Sequence, residues 1–150
     1  MKILAVDDDP IVLELLTQFV DLVGDHQLTT ALSGVEALEE VCRSGYARFD
    51  CLLFDLQMPQ MDGIELVRRV RELPVYRNTP ILMLTAMSDK RYVDAAFSAG
   101  ATDYITKPFE IPELRARLGV VEALVEERQA RAKKVFASQA VSAKAKNKSI

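Results

Sequence analysis

Short runs of consecutive apolar residues alternate along this chain with longer segments whose apolar positions recur every three or four residues. Ile3–Val6, Phe49–Phe54 and Ile81–Leu84, together with the more polar strand-like stretches Gln27–Thr30 and Asp103–Ile105, are read as β-strands. The run at 81–84 is wholly apolar, and the one at 50–54 is apolar after Asp50. Unbroken runs of this kind indicate strands covered on both faces. The intervening segments carry helix punctuation. Asp9 is placed to cap a first helix with Pro10 at its first position, its inward face drawn as Ile11, Leu15, Phe19 and Leu22. Ser33-Gly34-Val35-Glu36 is a capping box opening a second helix that ends near Gly45. Asp62-Gly63-Ile64-Glu65 opens a third, which Pro74 stops; a fourth runs from about Asp89 to Ala99 and closes at Gly100; a fifth starts at Pro112. Five β/α units in some 120 residues predict an α/β fold, a doubly wound parallel sheet with helices on both sides.

Beyond Gly119 the rhythm changes. Val120–Ala137 lacks Gly and Pro and is rich in Ala, Glu, Arg and Val. Leu114, Leu118, Val121 and Val125 keep a four-three spacing that continues to Arg128, Ala132 and Val135, so this stretch is expected to extend the fifth helix and offers a seam for a dimer. The small, polar and basic stretch 138–150 is expected to be disordered. The expected division is therefore residues 1–121 and a helical extension with a tail at 122–150.

Composition is that of an ordinary globular chain, with 150 residues, 49% hydrophobic and 27% charged, large enough for a real core. Charge is unevenly distributed: residues 1–110 carry a net −8 and residues 111–150 a net +5. An acidic body with a basic tail gives weak, salt-sensitive attraction to acidic surfaces, but no DNA-reading motif accompanies it, so no sequence-specific nucleic-acid binding is expected. Cys42 and Cys51 have neither metal-ligand nor redox spacing and are expected as reduced thiols. The apolar run after Met1-Lys2 is too short for a signal peptide or a membrane span, and the expected location is the cytoplasm. His26, alone before a strand, reads as a surface residue without a partner.

Candidate chemistry sits where the strands end. Asp7-Asp8-Asp9 follows the first run, Asp55 the third, Thr85 the fourth and Lys107-Pro108 the fifth. In a parallel sheet these ends line one edge, where ligands bind. Asp9 is accounted for as a cap, whereas Asp7 and Asp8 precede it. Two carboxylates about 4 Å apart repel by roughly 4 kcal/mol at an effective dielectric near 20. A divalent cation reverses that, and hard oxygen donors suit Mg²⁺. Asp55 is a competent nucleophile toward phosphorus, and Lys107 and Thr85 supply a cation and a hydroxyl on the same edge for the phosphoryl oxygens.

The stretches Val6-Asp7-Asp8-Asp9-Pro10, Asp55-Leu56-Gln57-Met58-Pro59-Gln60-Met61-Asp62-Gly63, Leu84-Thr85-Ala86 and Tyr104-Ile105-Thr106-Lys107-Pro108-Phe109 together resemble the receiver domain of two-component response regulators, over roughly residues 1–121. The resemblance implies the flavodoxin-like strand order 2-1-3-4-5. It implies Asp55 as phosphoacceptor, with Mg²⁺ on Asp8, Asp55 and the Gln57 carbonyl and with Asp7 acting mainly through water. Lys107 would pair with the phosphoryl group across a cis bond to Pro108, Thr85 would donate to a phosphoryl oxygen, and Tyr104 would be the switch aromatic. It also implies a histidine kinase or histidine phosphotransfer protein as donor and a downstream protein docked on the 89–121 surface, which includes Lys90, Arg91 and Tyr92. Gln57 and Met87 occupy the positions thought to tune phosphate lifetime; Met87 cannot orient a water, which points to slow to intermediate self-dephosphorylation. The expectation is a single-domain response regulator without an output domain of its own, which catalyses transfer to itself and its own hydrolysis and is a switch more than an enzyme.

Two other readings stay open. The chain is the receiver half of a longer effector, or it is a phosphatase of the haloacid-dehalogenase type using Asp7-Asp8-Asp9 as an Asp-x-Asp motif. Against the phosphatase, Pro10 and Ile11 replace the residues expected to follow, and Asp55 is left idle.

Overall fold

The computed structural model describes residues 1–43, 45 and 47–148. Its elements alternate as read from the sequence: β1 (Lys2–Val6), α1 (Pro10–Val23), β2 (Gln27–Ala31), α2 (Gly34–Arg43), β3 (Cys51–Phe54), α3 (Gly63–Glu72), β4 (Ile81–Thr85), α4 (Lys90–Ala99), β5 (Asp103–Thr106) and α5 (Ile111–Lys148). One turn of 3₁₀ helix at Pro74–Tyr76 follows α3. The five strands form one sheet in the order β2-β1-β3-β4-β5, and every pairing is parallel. This is the doubly wound α/β architecture the apolar runs predicted.

The caps act as their residue types suggest. Asp9 Oδ1 accepts from the Ile11 N–H at 2.9 Å, Asp62 Oδ1 from Glu65 at 2.9 Å and Asp89 Oδ1 from Arg91 at 2.9 Å. In α2 the capping box closes with Ser33 Oγ accepting from Glu36 N–H, while the Glu36 carboxylate reaches back to the N–H of Leu32. Strand β3 starts two residues later than expected, because the Asp50 carboxylate takes the Lys2 N–H at 2.8 Å and so stands in for a ladder bond.

Contact density divides the chain into one unit from Met1 to Arg115 and a second beginning at Ala116. In the first unit, Leu4, Val6, Leu52, Phe54, Ile81 and Met83 join α2 and α3 residues such as Ala37, Leu66, Val67 and Val70 in one core cluster. Period-two alternation sends Ile3, Ala5, Leu53 and Leu82, all buried, to the other face. The face drawn for α1 needs correction. Its buried residues are Leu13, Leu16, Phe19 and Val20, whereas Ile11, Leu15 and Leu22 are exposed. Nine of the fourteen residues of this helix are apolar, so a spacing rule finds two faces and does not choose between them.

Arg71 ties α3 to the far end of α4. Its guanidinium donates to the carbonyls of Gly100, Tyr76 and Thr79 at 2.6–3.0 Å. Arg71→Ala leaves those carbonyls short of donors and is expected to cost about 2–3 kcal/mol, read as a lowered urea midpoint with an unchanged slope. His26 was expected to stand alone, but the N-terminal amine lies 3.2 Å from its Nδ1. Cys42 is exposed and Cys51 buried, and burial pushes the Cys51 thiol up to about 12, so it is chemically quiet.

In the second unit the helix continues to Lys148, although disorder was expected from residue 138 onward. Residues 138–148 hold no Gly or Pro, and six of the eleven are Ala or Lys, residues of high helix propensity. Residues 149 and 150 lie outside the described residues. No helix among the described residues is long and apolar enough to cross a membrane.

Candidate functional site

Each candidate side chain hangs from a backbone bond that continues a strand ladder by one residue. Asp7 N–H donates to Ala31 O at 3.2 Å, Asp55 N–H to Val6 O at 2.8 Å and Lys107 N–H to Thr85 O at 2.8 Å. The register that pairs Val6 with Phe54 and Thr85 with Thr106 therefore sets positions 7, 55 and 107 at one height on the sheet edge. Separations of about fifty residues in sequence become a few ångströms in space. Asp7, Asp8, Asp55, Gln57 and Lys107 line one cleft of about 620 Å³.

Asp7 and Asp55 are buried, at 3% and 7% exposure, and Asp8 is exposed. All three offer a carboxylate oxygen within 4.8 Å of the others. Lys107 Nζ is 2.5 Å from Asp7 Oδ2 and 3.8 Å from Asp55 Oδ2, so one ammonium serves both buried acids. The other Asp7 oxygen accepts from the Asp9 N–H at 2.9 Å. Thr85 is fully buried, and its hydroxyl accepts from the Met87 N–H at 3.3 Å. The Lys107–Pro108 peptide bond is cis.

Burial raises the Asp55 pKa from its ordinary 3.8, and the Asp7 carboxylate raises it further; Lys107, the Thr85 hydroxyl and the Gln57 backbone pull the other way. The charge balance is thus tipped toward too much negative charge, and a small divalent cation with oxygen ligands is what such a triad accommodates. The donor set fits Mg²⁺, with Asp7, Asp8 and Asp55 to hold it.

Tyr104 does not line the cleft. Its hydroxyl donates to the Met87 carbonyl, which joins β5 to the loop after β4, and its phenol pKa is raised by burial and by the Asp55 charge. Thr85, through the Met87 N–H, and Tyr104, through the Met87 carbonyl, grip one peptide segment from two sides.

A second, apolar groove of about 460 Å³ adjoins the cleft and shares Val12 and Lys107 with it. Leu15, Phe19, Leu22, Pro108, Phe109 and Ile111 line it. Leu15 and Leu22, which helical spacing alone places in the core, line this groove instead. The surplus of apolar residues in α1 was the available signal.

The model of the response regulator receiver domain matches residues 3–119. The chain belongs to that family. Among curated relatives, the response regulator MprA of Mycobacterium leprae is 43% identical over 118 residues, 79% of this chain and 49% of the relative. The transcriptional regulatory protein CrdR of Helicobacter pylori is 36% identical over 117 residues, 78% of this chain and 53% of the relative. The chain thus spans about half the length of the curated relatives it matches. Among solved structures, chemotaxis protein CheY4 of Vibrio cholerae is 35% identical with a TM-score of 0.72, the match covering 80% of this chain and 97% of that one. A response regulator structure from Chloroflexus aurantiacus is 40% identical with a TM-score of 0.75, covering 81% and 97%. Receivers of this family bind Mg²⁺ at an acidic pocket and take their phosphoryl group from histidine kinases, and the acidic cleft of this receiver lies where that pocket is expected.

Proposed function

We propose that this receiver is a phosphorylation switch in which Asp55 accepts a phosphoryl group from a phosphohistidine donor. The observation that carries the reading is Asp55 buried within 4 Å of the Lys107 ammonium, beside two further carboxylates. An Asp55 carboxylate oxygen attacks phosphorus, the phosphorus–nitrogen bond of the donor breaks, and the imidazole leaves with that electron pair. Asp7, Asp8, Asp55 and the Gln57 carbonyl would hold Mg²⁺, which would neutralise charge on the phosphoryl oxygens. Lys107 exchanges its Asp7 contact for a phosphoryl oxygen, and Thr85 donates its hydroxyl to another. Since Thr85 and Tyr104 both hold Met87, a pull on the Thr85 hydroxyl reaches the α4–β5–α5 surface, where a downstream protein docks. The free energy for switching is the difference in those contacts between the two loop arrangements.

The donor must seat its histidine over the cleft, and the apolar groove beside α1 supplies the adjoining contact area. The cytoplasm is the compartment in which such a donor is met. Residues 1–121 form the receiver and residues 122–150 a helical extension, through which two copies associate. Because the curated relatives are about twice the matched length, a receiver acting as part of a longer effector remains the second reading.

The test is incubation with acetyl phosphate and Mg²⁺ of the unmodified protein, Asp55→Asn and Asp7→Asn. Covalent phosphate on the first and none on the second is expected. Label on Asp55→Asn that disappears in Asp7→Asn would instead indicate the dehalogenase-type phosphatase. Met87 bears on lifetime: Met87→Glu places an acceptor for water two residues after Thr85 and is expected to speed loss of the acyl phosphate several-fold. Equal decay rates would remove Met87 from any role in hydrolysis.

A further inference from the structure

The outer part of the C-terminal helix is bare. From Glu126 to Lys148 every residue is exposed, and Phe136 and Val135 stand 75% and 57% accessible. Helices in water owe most of their stability to packing of an apolar face, and a bare Phe on a long helix marks a face made for cover. Its apolar positions repeat at eleven residues: Val121 with Ala132 and Ala143, Leu124 with Val135, and Val125 with Phe136. An eleven-residue period keeps a stripe almost straight along an α-helix, unlike a seven-residue one. Leu124 and Val125 are only partly covered, so the stripe available for contact runs from 124 to 143.

Charge and the position of Arg128 choose the occupant and its direction. Residues 116–127 carry a net −2, and residues 128–148 carry +7 with no acid among them. A second copy laid parallel would set +7 beside +7 and Arg128 against Arg128 in the seam. Laid antiparallel about residue 130, Leu124 and Val125 of one copy meet Val135 and Phe136 of the other, and Arg128 meets Ala132, which leaves room for a guanidinium to exit. The same register brings Glu126 and Glu127 to the level of Lys134 and Lys133 of the other chain. Opposite potentials favour that arrangement, and like charges exclude the parallel one.

We propose that the 124–136 stripe is a self-association surface whose partner is the same segment of a second copy, running antiparallel. This deepens the self-association named above, and it does not depend on the chemistry at Asp55. The test uses the full chain carrying Cys42→Ser to remove the exposed thiol. Sedimentation equilibrium at tens of micromolar is expected to give the dimer mass, and Phe136→Glu to return it to the monomer mass. Under oxidation, Val125→Cys mixed with Val135→Cys is expected to cross-link between the two variants, and Val125→Cys alone to stay uncross-linked. A monomeric unmodified chain, or efficient cross-linking by Val125→Cys alone, overturns the proposal. Acetyl phosphate labelling of the same samples reports separately on Asp55, so a failed receiver reading and a failed helix pairing are told apart.

Discussion

Asp55→Asn is expected to abolish acyl-phosphate labelling while making the folded protein harder to unfold. The two effects have one cause. Asp55 is buried next to Asp7, and desolvation followed by that neighbouring charge raises its pKa above the ordinary 3.8. For a carboxyl whose folded pKa lies above its unfolded value, the unfolded chain ionises first as pH rises. The destabilisation is therefore absent below the unfolded pKa, grows between the two values and is complete above the folded one. The amide keeps the shape and removes the charge, so stability at neutral pH should rise, on the order of 1 kcal/mol, a trade of stability for function seen at many active sites. The gain should vanish in acid, where the native carboxyl is protonated. Labelling of the unmodified protein should climb with pH as the carboxyl ionises. Urea titrations of both proteins across the acid range, with intact-mass detection of phosphate, check all of this. A less stable amide variant would show that Asp55 is a structural anchor, and label on the amide variant would place the acceptor elsewhere.

Gly63→Ala is expected to be the most damaging single methyl in the receiver. A Cβ at position 63 would lie 2.2 Å from the Asp55 carbonyl oxygen, 2.9 Å from its carbonyl carbon and 2.7 Å from Leu56 Cα. These are backbone atoms of the segment that carries the acceptor, so no side chain can swing aside. The approach is fixed by the Gly63 N–H, which donates to Leu56 O at 2.7 Å, and by Asp62, which caps α3 immediately before it. Relief requires moving α3 away from β3 and breaking that bond. Over-packing of this kind is expected to cost about 3 kcal/mol. Any residual folded protein should label slowly, because Asp55 moves with the carbonyl that is pushed. The urea midpoint and the labelling rate, measured together, check the two halves. A stable variant with normal labelling would mean that the loop is far softer than its contacts indicate.

Much of the candidate site was legible because it consists of polar residues directly after apolar runs. A strand that must be buried on both faces cannot hold an Asp, a Thr or a Lys in its middle, so such residues collect at its end. Parallel pairing then puts all the ends on one edge. Asp7, Asp55, Thr85 and Lys107 follow from that reasoning, and the register places them together. Tyr104 could be named only through resemblance to the family, since an aromatic in a half-covered strand has no distinctive spacing. Its hydrogen bond to the Met87 carbonyl is a tertiary fact.

The sequence by itself determined the kinds of elements, their order and their caps, because these depend on neighbours within four residues: Asp9, Ser33, Asp62 and Asp89 each bond an N–H two or three positions away. Only the tertiary structure decided which face of α1 is buried, which carbonyls Arg71 reaches and how one ammonium is shared between Asp7 and Asp55. Those depend on residues far apart in the chain meeting at fixed distances, and no local periodicity encodes them. The C-terminal helix beyond Val125 shows the converse: no core covers it, and local propensity carries it to Lys148.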